Sequence, residues 1–316
     1  MELLESFNIG MIYALLGVAF YMCVYKLKFI NLLIGPCFYY SGAIARSLYD
    51  APPKTNTISY CVFILLLISA LLGIINGLFL KMGIKKVFSN IITLLLSSAF
   101  FPMVESSILK LYNVHIGPGP KTLPFYIAFK LPFFWLLVIS VSSFFIAKIL
   151  IKKRSSILND TLLISFSNIL SSLASILHFP FEIEKYLYSG DMVFKPSYTF
   201  SIVVALLIFL ITKLFTKNCK GLSISLFITF MSSILLSQIT VISKMYNITD
   251  SYLRLYTTLL LVFIVYLIRT NKSALDITAS NHDSSNDICQ IQSKLDNENI
   301  NIKNEDFINL VKSQYI

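Results

Sequence analysis

Eight residues place polar groups inside otherwise apolar stretches of this 316-residue chain: Asn31, Asn76, Asn90, Glu105, Asp160, Asn168, His178 and Gln238. In water-poor surroundings an unpartnered donor or acceptor is costly, so such groups join helices, contact a polar solute or relay a proton. A relay would need paired acids in mid-stretch, and none occurs; Glu105 and Asp160 fall toward the ends of their stretches, where a carboxylate reaches water. For the asparagines, helix contact and solute contact stand level. Catalysis has no comparable foothold. Ser and Thr are abundant, but no Gly-x-Ser-x-Gly elbow, His-Glu-x-x-His helix or Walker lysine loop occurs. Cys23, Cys37, Cys61, Cys219 and Cys289 are widely spaced, as are His115, His178 and His282, so neither a disulfide framework nor a zinc spacing emerges. The chain is expected to bind no metal or cofactor of its own and not to be an enzyme.

The elements that must hold these groups follow from composition. With 56% hydrophobic and 13% charged residues and a mean hydropathy of +0.75, the chain is far from the roughly 25% charge of a soluble domain. A globular domain of this length cannot hide so much apolar surface, so a lipid bilayer is the expected second solvent. Nine apolar stretches have about the length needed to cross a hydrocarbon core of roughly 30 Å. They lie near 7–25, 29–48, 57–80, 87–109, 131–151, 160–178, 196–212, 221–243 and 252–268. The first is not a cleavable signal, because Glu2 and Glu5 occupy what would be a basic region. Gly35 and Pro36 interrupt the second and make it a candidate broken or re-entrant element. The expected fold is all-α and polytopic, with about nine transmembrane helices.

Charge orients this array. Residues 1–269 carry 22 Lys+Arg against 9 Asp+Glu, whereas residues 270–316 carry 4 against 7. The cations sit in short clusters between apolar runs, without a recognition motif, which excludes nucleic acid as a partner. One set of alternate loops holds Lys26, Lys28, Lys81, Lys85, Lys86, Lys148, Lys152, Lys153, Arg154, Lys213, Lys217, Lys220, Arg269 and Lys272; the opposite set holds nine cations and several acids. The excess predicts an outside N-terminus and a cytoplasmic C-terminus. Two connections fall outside: Tyr112–Tyr126, whose His115–Lys121 stretch HIGPGPK reads as turns, and Phe179–Lys195, read as a short interfacial element. Residues 1–269 thus form a membrane domain. Residues 270–316, rich in Asn, Asp, Ser and Lys, read as a disordered cytoplasmic tail.

Several stretches resemble the permease subunits of ABC importers of the branched-chain amino acid, ribose and nucleoside class. INLLIGPCFYYSGA, from Ile30 to Ala43, is similar to the segment after that family's first helix. ISALLGIINGLFLKMGIKK, from Ile68 to Lys86, resembles its Gly-x-x-Asn-Gly helix and following turn. NIGMIYALLG from Asn8, SNILSSLASIL from Ser167 and SYLRLYTTLLLVF from Ser251 resemble further helices in the same order. Gly73 and Gly77 would let helices approach closely, Asn76 would add an interhelical hydrogen bond, and Gly35 with Pro36 would break a helix beside a pathway.

The resemblance implies a subunit of the bacterial cytoplasmic (inner) membrane that forms the path for a small polar solute, an amino acid first, otherwise a sugar or nucleoside. It implies three protein partners: an ABC ATPase that binds MgATP, a second permease copy or paralogue, and an extracytoplasmic solute-binding protein; membrane lipid surrounds them. Asn31, Gly35, Asn76, Gly77, Asn90 and Asn168 are the candidates for path or helix contact, and Lys152, Lys153 and Arg154 for the ATPase-coupling surface. Two departures stand out. Leu33 replaces the family's serine, and Lys85 and Lys86 replace a Pro-Pro turn. The loop after the fifth stretch also lacks the family's ATPase-docking segment of some thirty residues. Either coupling uses the short basic loop, or coupling is lost and the chain is a non-transporting scaffold or degenerate permease.

Overall fold

The computed structural model describes residues 2–49, 55–111, 133–154, 156–189, 198–216 and 221–245, together with Leu259, Leu260, Val262 and Phe263. By backbone contacts the chain divides into Met1–Leu267 and Ile268–Ile316, and the described residues all belong to the first unit. They form eight long helices and no strand: α1 (Glu2–Leu27), α2 (Ile34–Tyr49), α3 (Thr55–Lys81), α4 (Lys86–Leu111), α5 (Phe133–Lys152), α6 (Ile157–Ser189), α7 (Tyr198–Thr216) and α8 (Leu222–Met245). Five helices contain spans long and apolar enough to cross a membrane, within α1, α3, α4, α5 and α6; α7 and α8 contain shorter apolar runs. This is an all-helical architecture compatible with a polytopic membrane protein. The ninth expected stretch, 252–268, falls mostly outside the described residues, as do the Tyr112–Tyr126 connection and the tail from 270.

The helix ends follow from local chemistry. Lys28 adopts a left-handed conformation (φ 50°), and the Phe29 N–H returns to the Cys23 carbonyl six residues back at 3.4 Å. This is a Schellman-type stop built without glycine. α3 stops where Gly83, at φ 78°, opens the turn toward α4. α2 starts at Ile34, so Pro36 falls in its first turn, where a missing N–H costs no intrahelical bond. The second stretch therefore differs from its expected extent: 29–33 are non-helical, and 16 residues give a helix of only about 24 Å. α6 differs in the other direction. Its 33 residues extend about 50 Å, and the helix continues past Pro180 through the first eleven residues of the connection expected at Phe179–Lys195. A proline removes one helical hydrogen bond, and the Glu, Ile, Lys and Leu that follow it are residues a helix accommodates.

α1 and α6 occupy the centre. α1 packs against α2 and α5 to α8, and α6 against α1, α2, α3 and α5. Of the spanning windows, 89% of α1 and 78% of α6 are buried, against 33% of α3 and 28% each of α4 and α5. The outer helices present apolar stripes at helical spacing. On α3 these are Phe63, Leu67, Leu71, Ile74 and Leu78, and on α5 they are Phe134, Val138, Val141, Phe145 and Ile149. The inward face of α5 is built instead from Leu136, Ser140, Ser143, Ala147 and Ile151, three of them small enough to let α1 approach.

Candidate functional site

The polar residues of the central helices converge into one seam. Asn31, in the link between α1 and α2, donates from Nδ2 to Asn168 Oδ1 at 2.8 Å and to Ser167 Oγ at 3.2 Å, and accepts the Leu33 N–H at 3.3 Å. Asn168 donates to the Ser69 carbonyl at 3.3 Å, while Ser69 and Ser172 share a hydroxyl hydrogen bond of 2.5 Å. Ser167 donates to the Ala19 carbonyl, Ser171 to that of Ile34 and Ser172 to that of Cys37. All of these side chains are buried. The seam joins α1, the α1–α2 link, α2, α3 and α6 through groups that satisfy one another, as polar atoms in an apolar interior must.

Close backbone approach makes the seam reachable. A Cβ placed on Gly73 would lie 2.4 Å from Ser165 Cα, and one on Gly77 would lie 2.9 Å from Thr161 Cα. Small residues on α3 (Ser69, Gly73, Gly77) therefore face Thr161, Ser165, Asn168 and Ser172 of α6. The order runs oppositely on the two helices, so they cross antiparallel. On the α6 side the spacing is four, three and four, a helical seam of small and polar residues.

The other two asparagines act at the margins. Asn90 on α4 clamps the α1–α2 link, donating to the Ile30 carbonyl at 2.7 Å and accepting the Leu32 N–H at 3.3 Å. Asn76 accepts a hydrogen bond from Ser89 across the α3–α4 hairpin, and its buried Nδ2 has no acceptor among the described residues. Gly35 is buried in the first turn of α2, beside the seam. Of the six sequence candidates, Asn31, Gly35 and Asn168 thus come together, Gly77 lies further along the α3–α6 contact, and Asn76 and Asn90 brace it from α4 and its hairpin.

Lys152, Lys153 and Arg154 lie where α5 gives way to α6, exposed and apart from the seam. Only 153–156 separate the two helices, which leaves no room for a docking helix. This short loop is tied to α1. Lys26 Nζ donates to the Leu150 and Lys153 carbonyls, each at 2.9 Å, and lies 3.8 Å from Asp160 Oδ1. One nearly buried ammonium, 8% exposed, therefore holds the C-terminal end of α5 and the first turn of α6 against the end of α1. A cation is favoured at a helix C-terminus, and here it also meets an acid. Lys86 does the same for α1, donating to the Leu27 and Lys28 carbonyls at 3.1 and 3.2 Å.

Sequence reasoning missed the serines and Lys26. The missed signal was the small-polar spacing along α6, visible once Thr161, Ser165, Asn168, Ser172 and Ser175 are read as one face. Nothing local marked Lys26, because its partners are more than 120 residues away. No group of three or more His, Cys, Asp or Glu able to hold a metal ion occurs among the described residues. No protein-family model matches the chain, and no curated protein or solved structure does either.

Proposed function

We propose that this chain is a multi-spanning permease subunit of a bacterial cytoplasmic membrane, working with a separate MgATP-hydrolysing ATPase, a second permease chain and an outer solute-binding protein. The observation that carries the reading is the buried seam at the break between α1 and α2. Asn31 stands in non-helical backbone, faces Asn168 and Ser167 on the central helix α6, and is braced by Asn90 on α4. Irregular backbone lined with amide and hydroxyl groups suits a polar solute, because the same donors and acceptors that close the seam can be handed to a ligand. Opening would separate α3 and α6, whose contact combines the close approach at Gly73 and Gly77 with the Ser69–Ser172 and Asn168–Ser69 hydrogen bonds. The distribution of polarity supports the membrane setting: the most apolar stripes face outward and the polar groups face in, the inverse of a water-soluble bundle.

Coupling would pass through the basic loop at Lys152–Arg154, which Lys26 fastens to α1. A scaffold reading has one specific observation in its favour, the shortness of that loop. The deciding experiment is a pull-down of the solubilised full-length chain from its native membrane, beside a variant with Lys152, Lys153 and Arg154 changed to Gln. A stoichiometric ATPase that is retained by the parent and lost by the variant supports the permease. Purification without an ATPase, under conditions that preserve a control importer, overturns it in favour of a scaffold. Solute uptake that survives Asn31→Ala, Asn76→Ala and Asn168→Ala together, at unchanged expression, would remove the path assignment while leaving the subunit reading intact.

A further inference from the structure

At the lysine-rich ends of the helices, a cleft of about 540 Å³ opens between the C-terminal ends of α1 and α3 and the N-terminal ends of α4 and α6. Its walls have two characters. Leu27, Phe29, Leu80, Ile84, Ile157 and Ile164 make most of its surface apolar, while Lys81, Lys85 and Lys86 bring cations to it and Asp160 the single acid.

These charges are not equivalent. Lys86 is used on the Leu27 and Lys28 carbonyls, and Asp160 faces Lys26. The Lys81 and Lys85 side chains are exposed, and their ammonium groups make no hydrogen bond or ion pair among the described residues. The starts of α4 and α6 add the positive ends of two helix dipoles, which outnumber the one negative end left by α3, because the end of α1 is already capped by Lys86. The cleft thus offers two uncommitted ammonium groups above an apolar floor. An inorganic anion would use the first feature and leave the second wet. An amphiphile with a phosphate head and an acyl chain uses both.

We propose that this cleft binds one anionic phospholipid of the cytoplasmic leaflet, its phosphate on Lys81 and Lys85 and its chain along Leu80, Ile84 and Ile157. The position agrees: in the expected topology these lysines lie at headgroup depth on the cytoplasmic side, where basic pockets between helices meet anionic lipid. The inference rests on the membrane setting alone, not on transport, and would hold equally for a scaffold.

The test is thermal unfolding of the purified full-length chain in detergent, titrated with phosphatidylglycerol, with phosphatidylcholine, or with inorganic phosphate. Phosphatidylglycerol is expected to raise the unfolding temperature saturably, while the other two are not. Lys81→Gln with Lys85→Gln should raise the half-saturating lipid concentration roughly tenfold to thirtyfold, from about 1 kcal/mol per lysine near an anionic surface. Lys152→Gln with Lys153→Gln, which removes the same charge at the same end, should change it less than about twofold, because neither lysine lines the cleft and the attraction falls off within a Debye length. Ile84→Trp keeps every charge and fills the floor, so it should abolish saturable stabilisation. Each variant is first shown to unfold cooperatively in phosphatidylcholine. Equal losses in the two lysine pairs, an Ile84→Trp chain that still saturates, or stabilisation by phosphate alone would each overturn the lipid site.

Discussion

α5 and α6 are joined by four residues and lie side by side, yet they meet opposite surroundings. α5 buries 28% of its spanning window and α6 buries 78%, although α5 is the more apolar of the two. α5 turns Phe134, Phe145 and Ile149 outward; α6 turns Thr161, Ser165, Asn168 and Ser172 toward its neighbours. The difference teaches that hydrophobicity does not choose the central helix in this fold. Between these two helices small size and the ability to donate a hydrogen bond do, because apolar surface loses nothing by facing lipid while a polar group loses its partners there; α1, equally central, buries large side chains such as Tyr13 and Phe20 instead.

The comparison is tested most severely at the α3–α6 crossing. Gly73→Leu would drive a side chain into the Ser165 backbone, 2.4 Å from the position of its first carbon. A loss of about 3 kcal/mol is expected, at the upper end of overpacking costs, because backbone cannot step aside as a side chain can. Denaturant-induced unfolding in mixed micelles would measure it, and a loss below about 0.5 kcal/mol, the size of an ordinary surface substitution, would refute the close approach. Next comes Lys26→Met, which removes two charge-assisted bonds and the Asp160 partner while keeping the aliphatic stem. A loss of about 2 kcal/mol follows from hydrogen bonds to a charged group, read in the same assay.

A smaller effect is expected inside the seam. Asn31→Leu and Asn168→Leu, alone and combined, should give a coupling energy of about 0.6–1.7 kcal/mol in a double-mutant cycle, from the average to the maximum found for hydrogen bonds between membrane helices. Additive losses would show that the two amides do not act together. The smallest effect belongs to the outward stripe. Phe145→Ala on α5 should change stability by less than about 0.5 kcal/mol, as at other positions without buried partners. A large loss there would mean that another chain covers this face, and would reverse the contrast with α6.

Much of this architecture was legible as runs. α1, α3 and α5 are apolar stretches ended by Lys26, Lys81 and Lys152, and the structure places helix ends within a few residues of those lysines. Gly35 and Pro36 do not interrupt the second stretch as expected; they fall in the first turn of α2, where proline is compatible with a helix start, and the non-helical residues precede them at 29–33. The length of α6 was not legible, because Glu182, Glu184 and Lys185 dilute the apolar signal without opposing helical backbone. Pairings were least accessible. Asn31 and Asn168 were both visible as polar insertions, but hydropathy says nothing about which helices are neighbours, and 137 residues separate them. Asp160 was read as a carboxylate that reaches water; its side chain is 30% exposed and also faces Lys26 at 3.8 Å, a partner that only the three-dimensional arrangement supplies.

The central position of α1 also bears on how the chain is made. Ser237 on α8 donates to the Ser6 carbonyl on α1 at 2.7 Å, across 231 residues of sequence, and Gly10 sits directly against the Ile234 backbone. At roughly 5–20 residues per second, a ribosome needs on the order of 10–50 s to deliver α8 after α1. During that interval α1 waits without the helix it will press against most closely. Its own run of apolar side chains lets it wait in lipid, while its glycine notches remain unfilled. Assembly of this fold therefore closes from its two ends, and a nascent chain halted before α8 would leave the central helix open along one side, exposed to whatever membrane surveillance reads unfilled helix faces.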